Sequence, residues 1–307
     1  MDTIFLHHYD LSPFSQKAFK MLALKNLHWH SVEMPMIAPK PDLTPLTGGY
    51  RGTPVLQIGA DVYVDTIRIR QELDARQPQP ALAAPAGGLL ADGLSCWGDG
   101  FFEAGLLMAI HEFADHWDQD FSDDRKAVFA RLDFEEVKAR FDEACSLLRC
   151  HAASIDAQLA DGRLFLLGER PGLADIHAWA VLNFTRNSMP LTNDLLQQYQ
   201  YMPPWELRIA ELGEGHRIDS CAQDAFAAAR EATPQAGVSV DDRDPLQLAP
   251  GQHVVVKATG SDRGDALGTL VGLDVHEIVI DPGTADLGNL HVHFPRHGYR
   301  VEAATNG

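Results

Sequence analysis

Ser12-Pro13-Phe14-Ser15-Gln16-Lys17 is the stretch from which the rest of the chain is best read. It follows a short apolar run, Ile4-Phe5-Leu6, and leads into Ala18, Phe19, Met21, Leu22 and Leu24, whose spacing is helical. A serine therefore stands where a strand turns into a helix. The first backbone N–H groups of a helix lack intrahelical partners and carry partial positive charge, so they favour an anion. A hydroxyl at that corner can donate to the same anion. Pro13 suits the first turn because its missing N–H would be unpaired there anyway. Alone, Ser-Pro-Phe is an ordinary N-cap; its neighbours give it a second meaning.

Working outward, Thr3 to His8 reads as a strand and Ser15 to Leu24 as a helix. His28 to Met34 alternates and reads as a second strand. A proline-rich loop follows with Pro35, Pro39, Pro41 and Pro45, then a Gly48-Gly49 turn. Thr53-Pro54-Val55-Leu56-Gln57-Ile58 is a strand with its proline at the start, where a missing donor is tolerated. Gly59-Ala60-Asp61 turns the chain into Val62-Tyr63-Val64, and Asp65-Thr66 opens a helix through Ile67, Ile69 and Leu73. The order is βαβ, then a β-hairpin, then α.

This order resembles the thioredoxin-like domain of cytosolic glutathione transferases. Ser12-Pro13-Phe14, with Lys17 shortly after, resembles the family's serine-type catalytic motif. Thr53-Pro54-Val55-Leu56 resembles its Val-Pro-x-Leu, whose proline is cis, and Asp65-Thr66 resembles the pair that holds the γ-glutamyl end of glutathione. The resemblance implies that Ser12 activates the glutathione thiol and that Thr53, beside cis Pro54, pairs its backbone with the extended ligand. It also implies that Thr66 and nearby N–H groups bind a carboxylate and that Asp65 meets the ligand's ammonium. Leu46 to Arg51 departs from the family's usual Asn-Pro, so the cation for the glycine carboxylate is open between Lys40 and Arg51.

Residues 77–88, rich in Pro, Ala and Gly, read as a linker. Leu89 to His116 and Asp133 to Leu159 then repeat apolar residues at about 3.6 spacing. Gly172-Leu173-Ala174-Asp175 resembles the capping segment of the family's central C-terminal helix, with the Asp175 carboxylate bonding back to exposed N–H groups. Ser220 and Gln223 suggest a capping box for a later helix. Trp97, Phe101 and Phe102, on the helix expected to face the glutathione site, are candidates with Phe14 for an apolar second-substrate pocket.

Pro234 to Pro250 reads as a second linker, after which the period changes. His253 to Lys257, Gly268 to Leu273, Glu277 to Ile280, Leu290 to Phe294 and Tyr299 to Val301 read as strands of a small, barrel-like or rolled β module. The resemblance, which covers roughly residues 1–230, says nothing of it. His291 and His293 share one strand face, as metal ligation could use, with His253, His276 and His297 elsewhere in the module. No acidic or cysteine partner stands at clear spacing, alternating histidines suit a solvated face, and the expectation is no metal.

The whole chain has 307 residues, 45% of them apolar, and a formal charge of −18. Acidity without a basic block makes nucleic acid and anionic membrane poor partners. No basic segment followed by a long apolar run opens the chain, and no apolar run of membrane-spanning length occurs. Cys96, Cys145, Cys150 and Cys221 form no C-x-x-C pair and read as reduced thiols of a cytoplasmic protein.

The expectation is therefore an α+β chain: a thioredoxin-like glutathione-binding domain over 1–80, an all-α domain over 88–232 and the β module over 245–305. The resemblance implies a detoxifying glutathione transferase, a homodimer that conjugates, isomerises or reductively cleaves a small apolar electrophile. A non-catalytic glutathione-binding or regulatory protein is the alternative, and a metal-dependent activity of the β module a third.

Overall fold

A computed structural model describes residues 3–83 and 88–304. Residues 84–87 of the expected linker, and 1–2 and 305–307 at the ends of the expected outer domains, lie outside the described part. The first unit contains β1 (Ile4–His8), α1 (Pro13–Leu24), β2 (His28–Glu33), the short α2 (Thr44–Thr47), β3 (Val55–Ile58), β4 (Asp61–Val64) and α3 (Asp65–Arg76). The helical unit contains α4 (Gly88–Phe113), α5 (Gln119–Val128), α6 (Phe134–Ala139), α7 (Phe141–Leu159), α8 (Leu173–Ser188), α9 (Leu191–Leu196) and α10 (Met202–Ala210). After β5 (His216–Asp219) and α11 (Ala222–Glu231) come β6 (His253–Ala258), β7 (Ala266–Leu273), β8 (Glu277–Asp281), β9 (His291–Pro295) and β10 (Tyr299–Ala303).

All ten strands join one sheet, in the order β10-β6-β7-β8-β9-β4-β3-β1-β2-β5. The C-terminal strands, expected as a barrel-like or rolled β module, form a ladder that runs on from the first unit. The seam is a parallel pairing of β4 with β9, placing Asp61 opposite His291 and Tyr63 opposite His293. The reason is the edge of β4, whose free N–H and C=O groups accept another strand. At the other edge β5 pairs parallel with β2.

Side-chain alternation explains how both faces are buried. Ile4 and Leu6 of β1 face a core with Phe19 and Leu22 of α1, Ile69 and Leu73 of α3 and Ile176 of α8. Phe5 faces the other way, into a cluster that includes Ala225 and Ala229 of α11 and Val254, Ile278, Val292 and Phe294 of the C-terminal strands. Body and module thus share one continuous core. Each fully buried side chain of this size contributes about 1.5–3 kcal/mol.

The helical unit differs from expectation in three places. The apolar pattern over Asp133 to Leu159 is two helices, because Arg140 leaves helical geometry (φ −108°, ψ 26°). The capping box at Ser220 does not form: α11 begins at Ala222 behind Cys221, and the Ser220 hydroxyl donates to Asp224 at 2.8 Å. The helix α5 was not expected; its sequence is mostly polar, and its signals are the Asp118 cap, accepting from Phe121 N, and Arg125-Lys126 in the last turn. Asp175 behaves as expected. Its carboxylate accepts from Gly172 N at 3.0 Å and also from Leu166 N and Trp205 Nε1, fixing the start of α8.

Truncation after Thr233 removes β9 from β4 and opens the shared core. The truncated chain is expected to aggregate or to melt at least about 5 °C lower, the loss of a few kcal/mol in a chain of this size. Scanning calorimetry and light scattering check this; unchanged melting of a soluble truncated chain contradicts it.

Candidate functional site

Ser12 is the N-cap of α1, with extended backbone and an Oγ that accepts from Ser15 N at 3.3 Å. Because that oxygen already accepts, its hydrogen remains to be donated. Ser12 lines a cleft of about 570 Å³ between the first unit and the helical unit. Ser15, the nearest other hydroxyl, is wholly buried and absent from the cleft wall. Lys17 also turns inward: its Nζ lies 3.4 Å from His177 Nδ1, and burial lowers its pKa although Asp99 opposes the shift.

The Thr53–Pro54 peptide is cis, as expected, and Thr53 lines the cleft. Lys40 does too, with its Nζ donating to Thr53 Oγ1 at 3.4 Å and lying over the Tyr9 ring. Burial pulls the Lys40 pKa down to about 8, with Arg125 adding to the fall and Asp124 opposing it. Arg51 reaches the cleft already paired, its Nη1 on Asp124 and its Nη2 on the Asp262 carbonyl.

Asp65 opens α3 at φ +73°, a left-handed conformation uncommon for residues other than glycine and one that clusters at functional sites. Its Oδ1 accepts from Ile67 N at 3.0 Å, and its Oδ2 from the Tyr299 hydroxyl at 3.1 Å. Thr66 is buried in the first turn of α3. Pro54, Asp65 and Thr66 are not among the residues of the cleft wall.

Of the expected apolar pocket, Phe14 and Phe102 line the cleft with ring centroids 4.8 Å apart. Trp97 and Phe101 do not: they pack around His151 in the helical core, with Phe101 wholly buried. Their place on the wall goes to Leu106, one turn further along α4, and to Trp117 and Phe121 around the start of α5.

The C-terminal strands also enter the site. The β6–β7 loop lays Arg263 on the cleft wall, its guanidinium 5.9 Å from the Phe14 ring and 3.5 Å from the Tyr50 hydroxyl. Backbone bonds fix the loop and the start of β7: Arg263 O accepts from Arg51 N at 2.7 Å, Asp262 N donates to Val128 O, and Leu267 N of β7 donates to Gly48 O at 2.8 Å. Glycine permits this approach. A Cβ on Gly49 would stand 2.4 Å from Asp265 O, and one on Gly264 would stand 2.4 Å from Gly49 O. Nothing local in the sequence marked Arg263 or Tyr299 as site residues, because the matched motifs end long before them.

A sheet of thioredoxin type is thus joined to a helical bundle, with a serine at a helix start on the wall of the cleft between them. Two family models match the sequence: "Glutathione S-transferase, N-terminal domain" at residues 6–81 and "Glutathione S-transferase, C-terminal domain" at residues 133–205. A GST-like protein from Pseudomonas syringae is 31% identical, with a TM-score of 0.80, over 99% of this chain and 100% of its own. The chain belongs to the glutathione S-transferase family.

More distant structures share the fold over part of the chain. A glutathione S-transferase from Methylobacillus flagellatus, solved with glutathione bound, is 19% identical with a TM-score of 0.52 over 73% of this chain and 98% of its own. Poplar glutathione transferase F1 is 12% identical with a TM-score of 0.53 over 76% of this chain and 100% of its own. None of the curated proteins matches. Among the described residues, no helix is long and apolar enough to cross a membrane.

A neutralised lysine cannot hold a carboxylate, which fixes the sign of a pH test. Lys40 is charged below about 8 and loses its proton above it. The affinity for S-methylglutathione, which has no thiol to titrate, is expected to fall as pH rises through about 8. Lys40→Arg should show a smaller fall across that range, because arginine stays charged and only the ligand's ammonium then titrates. Titration calorimetry between pH 7 and about 9.5 reads both; the same fall in Lys40→Arg would show that Lys40 does not hold the ligand.

Proposed function

We propose that the cleft binds glutathione and that Ser12 holds the ligand's sulfur as the thiolate for attack on a small, largely apolar electrophile. The carrying observation is the Ser12 hydroxyl, whose oxygen accepts from Ser15 N and whose hydrogen is free to donate at the start of α1. A free thiol has a pKa of about 8.5, and only the thiolate is nucleophilic. A hydroxyl donor and a helix N-terminus both favour the anion, while solvent takes the proton. The sulfur then forms a bond to the electrophilic carbon, and the displaced electron pair leaves with the leaving group or moves onto the acceptor. Isomerisation and reductive ether or halide cleavage begin with the same attack.

The expected ligand groups would take the parts of the tripeptide, Thr53 and Lys40 from the cleft wall and Asp65 and Thr66 from outside it. The Thr53 backbone would pair with the cysteinyl segment, and Lys40 would take the glycine carboxylate. Thr66 and the start of α3 would receive the γ-glutamyl carboxylate, and Asp65 the ammonium. Arg51 is neutralised by Asp124, so Arg263, electrostatically coupled to Asp65, would supply the second cation at the γ-glutamyl end. Phe14, Phe102, Leu106 and Phe121 form an apolar face for the electrophile. The family resemblance supports a homodimer and a cytoplasmic setting.

A glutathione-binding protein without turnover is the second reading. It is favoured by the bonds that Asp65 and Arg51, two expected ligand groups, already make to Tyr299 and Asp124. Absorbance of bound thiolate against pH decides between the two. Wild type should show a thiolate pKa well below that of free thiol, and Ser12→Ala should raise it by about 1–2 units, each worth about 1.4 kcal/mol. Turnover should drop by a similar factor of about 10–100, with Ser15→Ala unchanged. Absence of bound thiolate in wild type selects the non-catalytic reading, and a shift in Ser15→Ala alone moves the role to Ser15.

A further inference from the structure

The seam that joins β4 to β9 carries a cluster independent of the glutathione cleft. Asp61 pairs with His291 across the parallel ladder, and His293 lies two residues on, so all three side chains leave the same face. The ligand atoms of Asp61, His291 and His293 lie within 4.8 Å of one another. Asp61 Oδ1 stands 3.0 Å from His293 Nε2 and 4.0 Å from His291 Nδ1.

The surroundings fix which atoms are available. Asp61 Oδ2 accepts from Gln235 N at 2.9 Å, which leaves Oδ1 to face the two histidines. His293 Nδ1 lies 3.0 Å from Glu277 Oε2, and Glu277 is held by Arg68 Nε at 2.8 Å. A carboxylate faces each ring nitrogen, Glu277 at Nδ1 and Asp61 at Nε2; a metal ion would take the place of the proton between Nε2 and Asp61 while the Nδ1 proton still faces Glu277. This is the arrangement in which a ligating histidine donates its other nitrogen to a carboxylate. The His293 ring is further fixed by stacking on Tyr63, with centroids 4.7 Å apart. His291 Nδ1 is buried with no hydrogen-bond partner, although its ring is partly open to solvent.

Three possible ligand atoms thus converge on one point. A proton between His293 and Asp61 would satisfy two of them and leave His291 unpartnered. We propose that Asp61 Oδ1, His291 Nδ1 and His293 Nε2 bind a divalent transition-metal ion of the zinc class, which staples β4 to β9. Two imidazoles and a carboxylate suit such an ion. Bond lengths of about 2.0–2.2 Å accommodate the 3.0 and 4.0 Å separations after small rotations of the His291 ring. A water on the open side of His291 completes four-coordination. The acidic partner that the histidine spacing lacked in the sequence is Asp61, brought from 230 residues upstream by strand pairing.

The probe is Co²⁺ added to full-length, chelator-treated protein. The expected result is saturation at about one equivalent, with the intense visible bands of a tetrahedral ion, displaced by Zn²⁺. His291→Ala removes a partly exposed ring and should leave the fold intact by circular dichroism while weakening Co²⁺ binding at least about tenfold. Zn²⁺ should raise the melting temperature of wild type and not of His291→Ala. His253→Ala, which removes a module histidine outside the cluster, should bind as wild type does. No saturable binding in wild type, or equal binding by His291→Ala, overturns the proposal and leaves His293 donating from its two ring nitrogens to Glu277 and Asp61. Glutathione binding plays no part in any readout, so the outcome is independent of the cleft's function.

Discussion

The backbone pairing of β4 with β9 is the interaction on which the rest of this architecture depends. A strand edge is a template for another strand, and here the chain's own C-terminal segment fills it. The pairing extends one sheet to ten strands and merges the core of the C-terminal segment with that under β1 and β3. Once β9 is placed, the β6–β7 loop is carried to the cleft and Tyr299 of β10 to Asp65. The loop then bonds to Arg51 on one side and to Val128 of α5 on the other.

Charge is distributed unevenly as a consequence. The chain carries a formal charge of −18, yet Lys40, Arg51, Arg125 and Arg263 gather on one cleft wall. Asp124 binds both Arg51 and Arg125 and holds them in place, which neutralises much of their attraction for a ligand. Lys40 and Arg263 remain to meet an anion. Burial weakens the Lys40 charge near neutral pH, whereas arginine keeps its charge in any such setting. Arg263 is therefore the more dependable cation of the two, and it comes from outside the part of the chain that resembles a standard transferase.

The first sheet was legible because its signals are local. Ser12 at a strand–helix corner, Pro54 at a strand start and Asp65-Thr66 at a helix start each follow from short-range chemistry, and each stands at the element boundary expected of it. The five C-terminal strands were legible from their two-residue period. Where they attach was not, because register between β4 and β9 depends on edge complementarity across 230 residues. The α5 helix was missed because its residues are mostly polar and show no long apolar repeat. Trp97 and Phe101 show the limit of assigning a helix face by spacing alone: both lie on α4, as expected, yet pack in the helical core while Phe102 and Leu106 face the cleft.

The central claim is that the C-terminal segment completes the ligand site through Arg263. The most direct measurement is the glutathione affinity of Arg263→Met by titration calorimetry, with circular dichroism and melting temperature as controls on the fold. A hydrogen bond between charged groups is worth about 1.5–3 kcal/mol, so a loss of at least about tenfold in affinity is expected with the fold unchanged. A folded Arg263→Met that binds glutathione as tightly as wild type would contradict the account and return ligand recognition to the first unit alone.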